Sequence, residues 1–190
     1  MGAPHLTLAS ASPRRRELLA RLGLVPDAVT PADIDETPQG RELPRAYALR
    51  MGREKALAID APGYVLAGDT VVAVGRRILP KTETEAEARA CLQLMSGRRH
   101  QVLSSVVLRA GDGTLRERLS ETVVRFKRLS DAEITDYLAG DEWRGKAGGY
   151  AIQGAAEGLI EWIRGSHSGV MGLPLYETRI LLKAAGFPLG

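Results

Sequence analysis

The stretch His5-Leu6-Thr7-Leu8-Ala9-Ser10-Ala11-Ser12-Pro13-Arg14-Arg15-Arg16-Glu17-Leu18-Leu19 decides the fold of this chain. Its first part, His5 to Ser10, reads as a short buried strand. Ser12 is of the N-cap type, Pro13 suits the first helical position, and Leu18, Leu19 and Leu22 recur at helical spacing until Gly23 offers a stop. A strand passing through a short loop into a helix predicts an α/β architecture. Arg14, Arg15 and Arg16 add positive charge to the positive end of the helix macrodipole, where stability alone favours Asp or Glu by about 0.3–1 kcal/mol per residue. Free N–H groups at the helix start, the Ser10 and Ser12 hydroxyls and forked guanidinium groups together make a cradle for an anion such as phosphate. Taken by themselves, the same residues also fit an ordinary surface helix with solvated arginines.

Outward from this opening, the pattern continues as α/β. A polar segment from Pro26 to Gly40 leads into a helix predicted over Pro44 to Ile59, with Ala46, Leu49, Ala56 and Leu57 as its apolar stripe and Gly52 as a weak point. Tyr64 to Val74 reads as a valine-rich strand interrupted by Gly68-Asp69-Thr70, followed by a turn at Gly75 and a short strand Ile78-Leu79. Thr82 and Glu85 form a capping-box pattern for a helix to about Met95, closed by Gly97. Gln101–Arg109 and Thr114–Phe126 flank Gly111-Asp112-Gly113, which predicts a β-hairpin. Ser130 and Glu133 form a second capping box, for a helix ending near Gly140. A glycine-rich tract from Gly145 to Gly172 holds short β-like pieces such as Gly158 to Ile163, and a last helix begins near Pro174 and ends at Gly186.

Composition narrows the function class. The 190 residues suffice for one domain with a sizeable core, and no apolar run approaches the roughly 20 residues that span a bilayer. Met1 to Leu8 lacks the basic and apolar regions of an export signal, so a cytoplasmic protein is expected. Cys91 is the one cysteine and sits on a helical pattern with Leu92 and Met95, which points to burial. A net charge of +3 is spread along the chain and aromatic residues make up 5%, which argues against a base-stacking nucleic-acid surface. Of 26 basic residues only five are lysines, Lys55, Lys81, Lys127, Lys146 and Lys183, a bias that either keeps a compact point charge for the places that need one or, for any single lysine, is chance.

Several of the remaining polar residues carry chemistry. An ionised Asp69 within an apolar strand must face a cleft, a cation or hydrogen-bond donors, unless Gly68-Asp69-Thr70 is a turn that splits the strand. A hairpin after Val74 can return Lys81 to the end of the sheet that holds Asp69. Asp33, Asp35 and Glu36 can supply oxygen ligands to a hard cation, or are simply solvated acids. Lys55 and Arg53 lie on a predicted helix, and Lys146 stands beside Gly148 and Gly149, where a phosphate can approach the backbone. Cations, carboxylates and a phosphate cradle together suit metal-assisted attack on a polyphosphate. His5, His100 and His167 lack metal-ligand spacing, and there is no Gly-x-Ser-x-Gly elbow, Walker A sequence or Gly-x-Gly-x-x-Gly after a strand.

As a set, the motifs resemble the Maf family of nucleoside triphosphate pyrophosphatases over nearly the whole chain. The resemblance rests on Leu8 to Arg15, Asp33-Ile34-Asp35-Glu36, Arg53-Glu54-Lys55-Ala56, Ala67 to Val72, Leu79-Pro80-Lys81, Ser96 to His100, Lys146 to Gly154 and Val170 to Leu175. It implies a single domain of mixed α/β fold, with an elongated central sheet, flanking helices and two lobes around a cleft, similar to inosine triphosphate pyrophosphatases. It also implies cleavage between the α- and β-phosphates with a divalent cation, Mg²⁺ or Mn²⁺. Asp69 matches the family's general base, and Glu36, Lys55 and Lys81 match its other catalytic positions, with Glu36 and Asp69 toward the metal. Ser10, Ser12, Arg15 and Lys146 fall to substrate binding. Arg14, Thr70 and Gln153 match the branch acting on dTTP, UTP and modified pyrimidine nucleotides. The alternatives are the branch preferring 7-methyl-GTP and a nucleotide-binding regulator of septum formation. A homodimer is the family-level expectation. Thr82 follows Lys81 where the family usually has Pro, and Ala151 replaces a frequent Gly.

Overall fold

The computed structural model describes residues 4–189. The chain order is β1 (Leu6–Leu8), α1 (Pro13–Ala20), β2 (Ala28–Val29), α2 (Pro44–Ala58), β3 (Tyr64–Val74), β4 (Arg77–Leu79), β5 (Lys81–Thr82), α3 (Glu85–Met95), β6 (Arg99–Arg109) and β7 (Leu115–Phe126). It continues with α4 (Asp131–Leu138), β8 (Lys146–Ala147), a 3₁₀ turn (Ala155–Leu159), β9 (Ile160–Arg164), α5 (His167–Met171) and α6 (Leu175–Ala184). The expected mixed α/β architecture is present. A seven-stranded sheet runs β2-β1-β3-β6-β7-β9 with β4 added to β3, and β5 pairs with β8 in a small second sheet. β1 is parallel to β2 and β3, while the β3–β4, β3–β6, β6–β7 and β7–β9 pairs are antiparallel. Among the described residues no helix is long and apolar enough to cross a membrane.

β3 organises the molecule because its alternate residues face two different layers. Val65, Ala67, Val71 and Ala73 pack under α2 together with Ala48, Met51 and Ala56. Leu66 and Val72 face the main core, where Leu18 and Leu19 of α1, Leu92 and Met95 of α3, and Leu181 and Leu182 of α6 meet. The predicted burial of Cys91 holds.

Several sequence expectations change. β3 runs unbroken through Gly68-Asp69-Thr70, so no turn splits it, and each of these residues pairs with β6. The buried face of α2 is Tyr47, Ala48, Met51, Gly52, Lys55 and Ala56, whereas Ala46 and Leu57 are exposed. A side-chain count of apolar residues misses this face because its centre is a glycine and a lysine. A Cβ at Gly52 would lie 2.7 Å from Ser105 Oγ and 2.9 Å from Val107 Cγ2, so the missing side chain lets α2 settle directly on β6.

The capping box of α3 is Thr84 with Glu87 rather than Thr82 with Glu85. The Thr-x-x-Glu pattern occurs twice in register, and burial decides between them: Thr82 is enclosed and donates its hydroxyl to the Trp143 carbonyl at 2.8 Å. Ser130 and Glu133 cap α4 as expected. Ser12 occupies the N-cap position of α1 and Pro13 its first turn, but the Ser12 side chain makes no capping bond. The β-like piece over Gly158 to Ile163 divides into the end of the 3₁₀ turn and β9, and the glycine-rich tract also holds the short helix α5.

Candidate active site

Two different strands share one edge of β3, and neither covers its middle. β1 pairs with Tyr64 to Leu66 and β4 with Val72 to Val74, which leaves residues 67–71 without a strand neighbour on that side. Asp69 and Thr70 stand in this gap. Their side chains leave opposite faces of the strand, Asp69 toward α2 and Thr70 toward α5, so a ligand in the gap can meet both.

On the first face, Lys55 projects from the buried side of α2 and places Nζ 2.7 Å from Asp69 Oδ1 and 2.8 Å from Glu36 Oε1. Lys55 and Asp69 are both buried. Two ionised groups so enclosed are tolerated because they neutralise each other. Lys81, at the start of β5, pairs with the other oxygen of Glu36. Glu36 therefore bridges two ammonium groups. Burial pushes its pKa up, but hydrogen bonds from Lys55 and Lys81 outweigh that and hold it below the ordinary carboxylate value.

On the second face, the start of α1 turns its arginines to the gap. Arg15 donates from Nε to the Gly172 carbonyl at 2.8 Å, from Nη1 to Ser10 Oγ at 2.9 Å and from Nη2 to Thr70 Oγ1 at 3.4 Å. It is a latch between the β1–α1 loop, β3 and the end of α5. Arg14 has no such compensation: burial and then the like charge of Arg15 both lower its pKa, so it presents an unrelieved cation to the cleft. Ser10 Oγ also accepts from the Ser12 N–H at 3.2 Å, and Ser104 donates to Thr70 Oγ1 at 3.3 Å.

These groups line one cleft of about 320 Å³. Ser10, Ser12, Arg14, Arg15, Glu36, Lys55, Asp69, Thr70, Lys81, Lys146 and Gln153 all face it, so the residues that the family resemblance assigns to catalysis and substrate binding arrive in one place. Five cationic side chains meet two carboxylates there, an imbalance suited to a polyanion. Lys146 is carried by β8 against β5, its Nζ donating to the Arg144 carbonyl at 2.8 Å, and burial followed by Arg14 lowers its pKa. A second cavity of about 480 Å³ shares Glu36, Asp69, Thr70 and Lys81 with the cleft.

Some expectations do not carry through. Asp33 and Asp35 do not line the cleft; Asp35 Oδ1 accepts from the Thr37 N–H at 2.9 Å and serves a turn. Arg53 is exposed and pairs with Glu117. Sequence reasoning also missed Tyr47, whose hydroxyl donates to the Glu36 carbonyl at 2.6 Å, and Gly172, whose carbonyl receives Arg15. The periodicity of α2 alone could have placed Tyr47 on the Lys55 face, eight residues before it.

The donor set fits a hard divalent cation of limited protein ligation. Glu36 and Asp69 stand on either side of the Lys55 ammonium and both line the cleft, and among the described residues no group of three or more His, Cys, Asp or Glu side chains is placed to hold a metal. Mg²⁺ is commonly held this way, by one or two carboxylates with phosphate oxygens and water.

A family model described as Maf-like protein matches residues 5–185. A dTTP/UTP pyrophosphatase of Novosphingobium aromaticivorans is 65% identical over 96% of this chain and 92% of its own length. Proteins of the same name from Rhodospirillum rubrum and Caulobacter vibrioides are each 60% identical, over 97% of this chain and over 90% and 97% of their own lengths. Among solved structures, the Staphylococcus aureus Ham1 protein is similar with a TM-score of 0.45 and 15% identity, covering 64% of this chain and 71% of that one.

Proposed function

Because this chain belongs to the Maf family, we propose that it is a nucleoside triphosphate pyrophosphatase, hydrolysing dTTP and UTP to the nucleoside monophosphate and pyrophosphate. The observation that carries the reading is the Asp69–Lys55–Glu36–Lys81 chain of charges set beside the Arg14 cradle in one cleft. The triphosphate lies with its anionic tail against Arg14, Lys81 and Lys146. Asp69 takes a proton from the attacking water as the new bond forms between the water oxygen and the α-phosphorus. The bond from the α-phosphorus to the bridging oxygen breaks, and pyrophosphate leaves with that oxygen. Lys55 orients Asp69 and Glu36 through its ion pairs with both, while Lys81 and Arg14 stabilise charge on the phosphoryl oxygens. Glu36 and Asp69 would hold Mg²⁺ or Mn²⁺, which when bound supplies further neutralisation of phosphate charge. Gln153, exposed at the cleft wall, offers both a donor and an acceptor to a pyrimidine edge, and Thr70 completes the selection. Modified pyrimidine triphosphates fall within the same recognition. The free, buried Cys91 suits a reducing cytoplasm.

The test is a panel of nucleoside triphosphates with Mg²⁺ and with Mn²⁺, in which pyrophosphate and orthophosphate are assayed separately. Pyrophosphate release with dTTP and UTP foremost is the expected result. Orthophosphate as first product, or preference for 7-methyl-GTP, overturns the assignment of reaction or of substrate respectively.

A further inference from the structure

Glu36 lies in residues 30–43, a segment with no helix or strand between β2 and α2. No sheet ladder sets its position, yet its carboxylate reaches Lys55 and Lys81 together. Two side chains from the first turns of α2 hold the segment by its backbone. The Tyr47 hydroxyl donates to the Glu36 carbonyl at 2.6 Å, and Arg50 Nη2 donates to the next carbonyl, that of Thr37, at 3.1 Å. Arg50 is itself fixed: Nε and Nη2 each meet a Glu42 oxygen at 2.8 Å, and Nη1 lies 3.2 Å from Glu54 Oε1. Its guanidinium also lies over the Tyr47 ring, 5.5 Å from the centroid.

Tyr47, Met51 and Lys55 follow one another at four-residue spacing on the buried face of α2. One rigid helix therefore carries both the ammonium that Glu36 must meet and the donors that fix where Glu36 stands. We infer that Tyr47 and Arg50 form a clasp that positions Glu36 for the reaction, with α2 as the common reference for Glu36 and Lys55. The inference rests on the pyrophosphatase reading for its catalytic part only. Tyr47 is a positioning residue and touches the substrate at no point in this scheme. Its ring packs with Val71, Ala73 and Leu103, so Tyr47→Phe keeps the packing and removes only the donor.

Two measurements test the clasp. In hydrogen exchange on the nucleotide-free protein, Tyr47→Phe and Arg50→Lys are expected to lose protection over residues 34–42 while β3 and β6 keep theirs. Unchanged protection over that segment overturns the clasp whether or not the parent is active. In steady-state kinetics with dTTP, Tyr47→Phe is expected to lower kcat about tenfold or more through misplacement of Glu36, with KM within about twofold because the α1 cradle is untouched. On a Glu36→Gln background the same substitution should cost nothing further, and full additivity overturns action through Glu36. A parent that releases no pyrophosphate sinks the functional reading and leaves the exchange result to judge the clasp.

Discussion

At the scale of single residues, Asp69 and Lys55 define what the site can do. Both are buried and 2.7 Å apart, so each makes the other's charge tolerable. Asp69→Asn keeps the shape and removes the proton acceptor. It should lower kcat about 10²- to 10⁴-fold with nucleotide still bound, measured by pyrophosphate release beside calorimetric titration. Turnover at the parental rate would remove Asp69 from its role. Lys55→Met leaves the Asp69 carboxylate enclosed without its cation, at a cost of about 3–5 kcal/mol in urea unfolding. The double variant Lys55→Met/Asp69→Asn should recover much of that loss, since no unpaired charge remains. Equal stability of the single and double variants would mean that the pair is not coupled as its distance implies. Asp69 was legible in the sequence because an acid in an apolar strand demands an explanation. Lys55 was harder to read, since a lysine on a helix is ordinarily solvated and only the packing of α2 shows otherwise.

At the scale of elements, the seat of α2 on the sheet sets the geometry of the acidic half of the site. A glycine in a helix ordinarily costs about 1 kcal/mol against alanine, so Gly52→Ala on an exposed face would stabilise. Here the added Cβ meets Ser105 and Val107, and helix and sheet must part. Gly52→Ala is expected to destabilise by about 1–3 kcal/mol and to lower kcat, because Lys55 lies one turn further along the displaced helix. A rise in melting temperature with full activity would contradict the close seat. The loop after β8 makes a similar demand. Gly148 takes a positive φ of 70°, and a Cβ there would lie 2.9 Å from Val72 Cγ1, which brings Lys146 and Gln153 near the open edge of β3. Strand and helix spans were largely readable from periodicity, turn residues and caps. The face that α2 buries was not, because the signal for close packing is an absent side chain.

At the scale of the whole molecule, the core also carries a pH dependence. His100 is buried against Phe126 and Tyr150, its Nε2 2.9 Å from the Tyr150 hydroxyl and its Nδ1 without a partner among the described residues. Burial pushes its pKa down to about 4. An unfolded chain binds this proton near pH 6.5 and the folded one only near 4, so acid favours unfolding across that interval. Stability should be undiminished by His100 above pH 6.5 and should fall by about 3 kcal/mol in total as pH drops to 4. Urea unfolding at a series of pH values checks this, and His100→Asn should flatten the slope. An unchanged slope in that variant would assign acid sensitivity elsewhere. The α/β class, the arginine-rich helix start and the identities of the cleft residues were already determined by local pattern and by motifs, since propensity, capping and charge act between near neighbours. Tertiary structure alone decided that β1 and β4 leave the middle of β3 uncovered, that Arg15 serves as a latch while Arg14 faces the cleft, and that Tyr47 reaches Glu36. These outcomes depend on which surfaces come into contact across long chain separations, and steric fit and desolvation at such contacts leave no periodic trace in the order of residues.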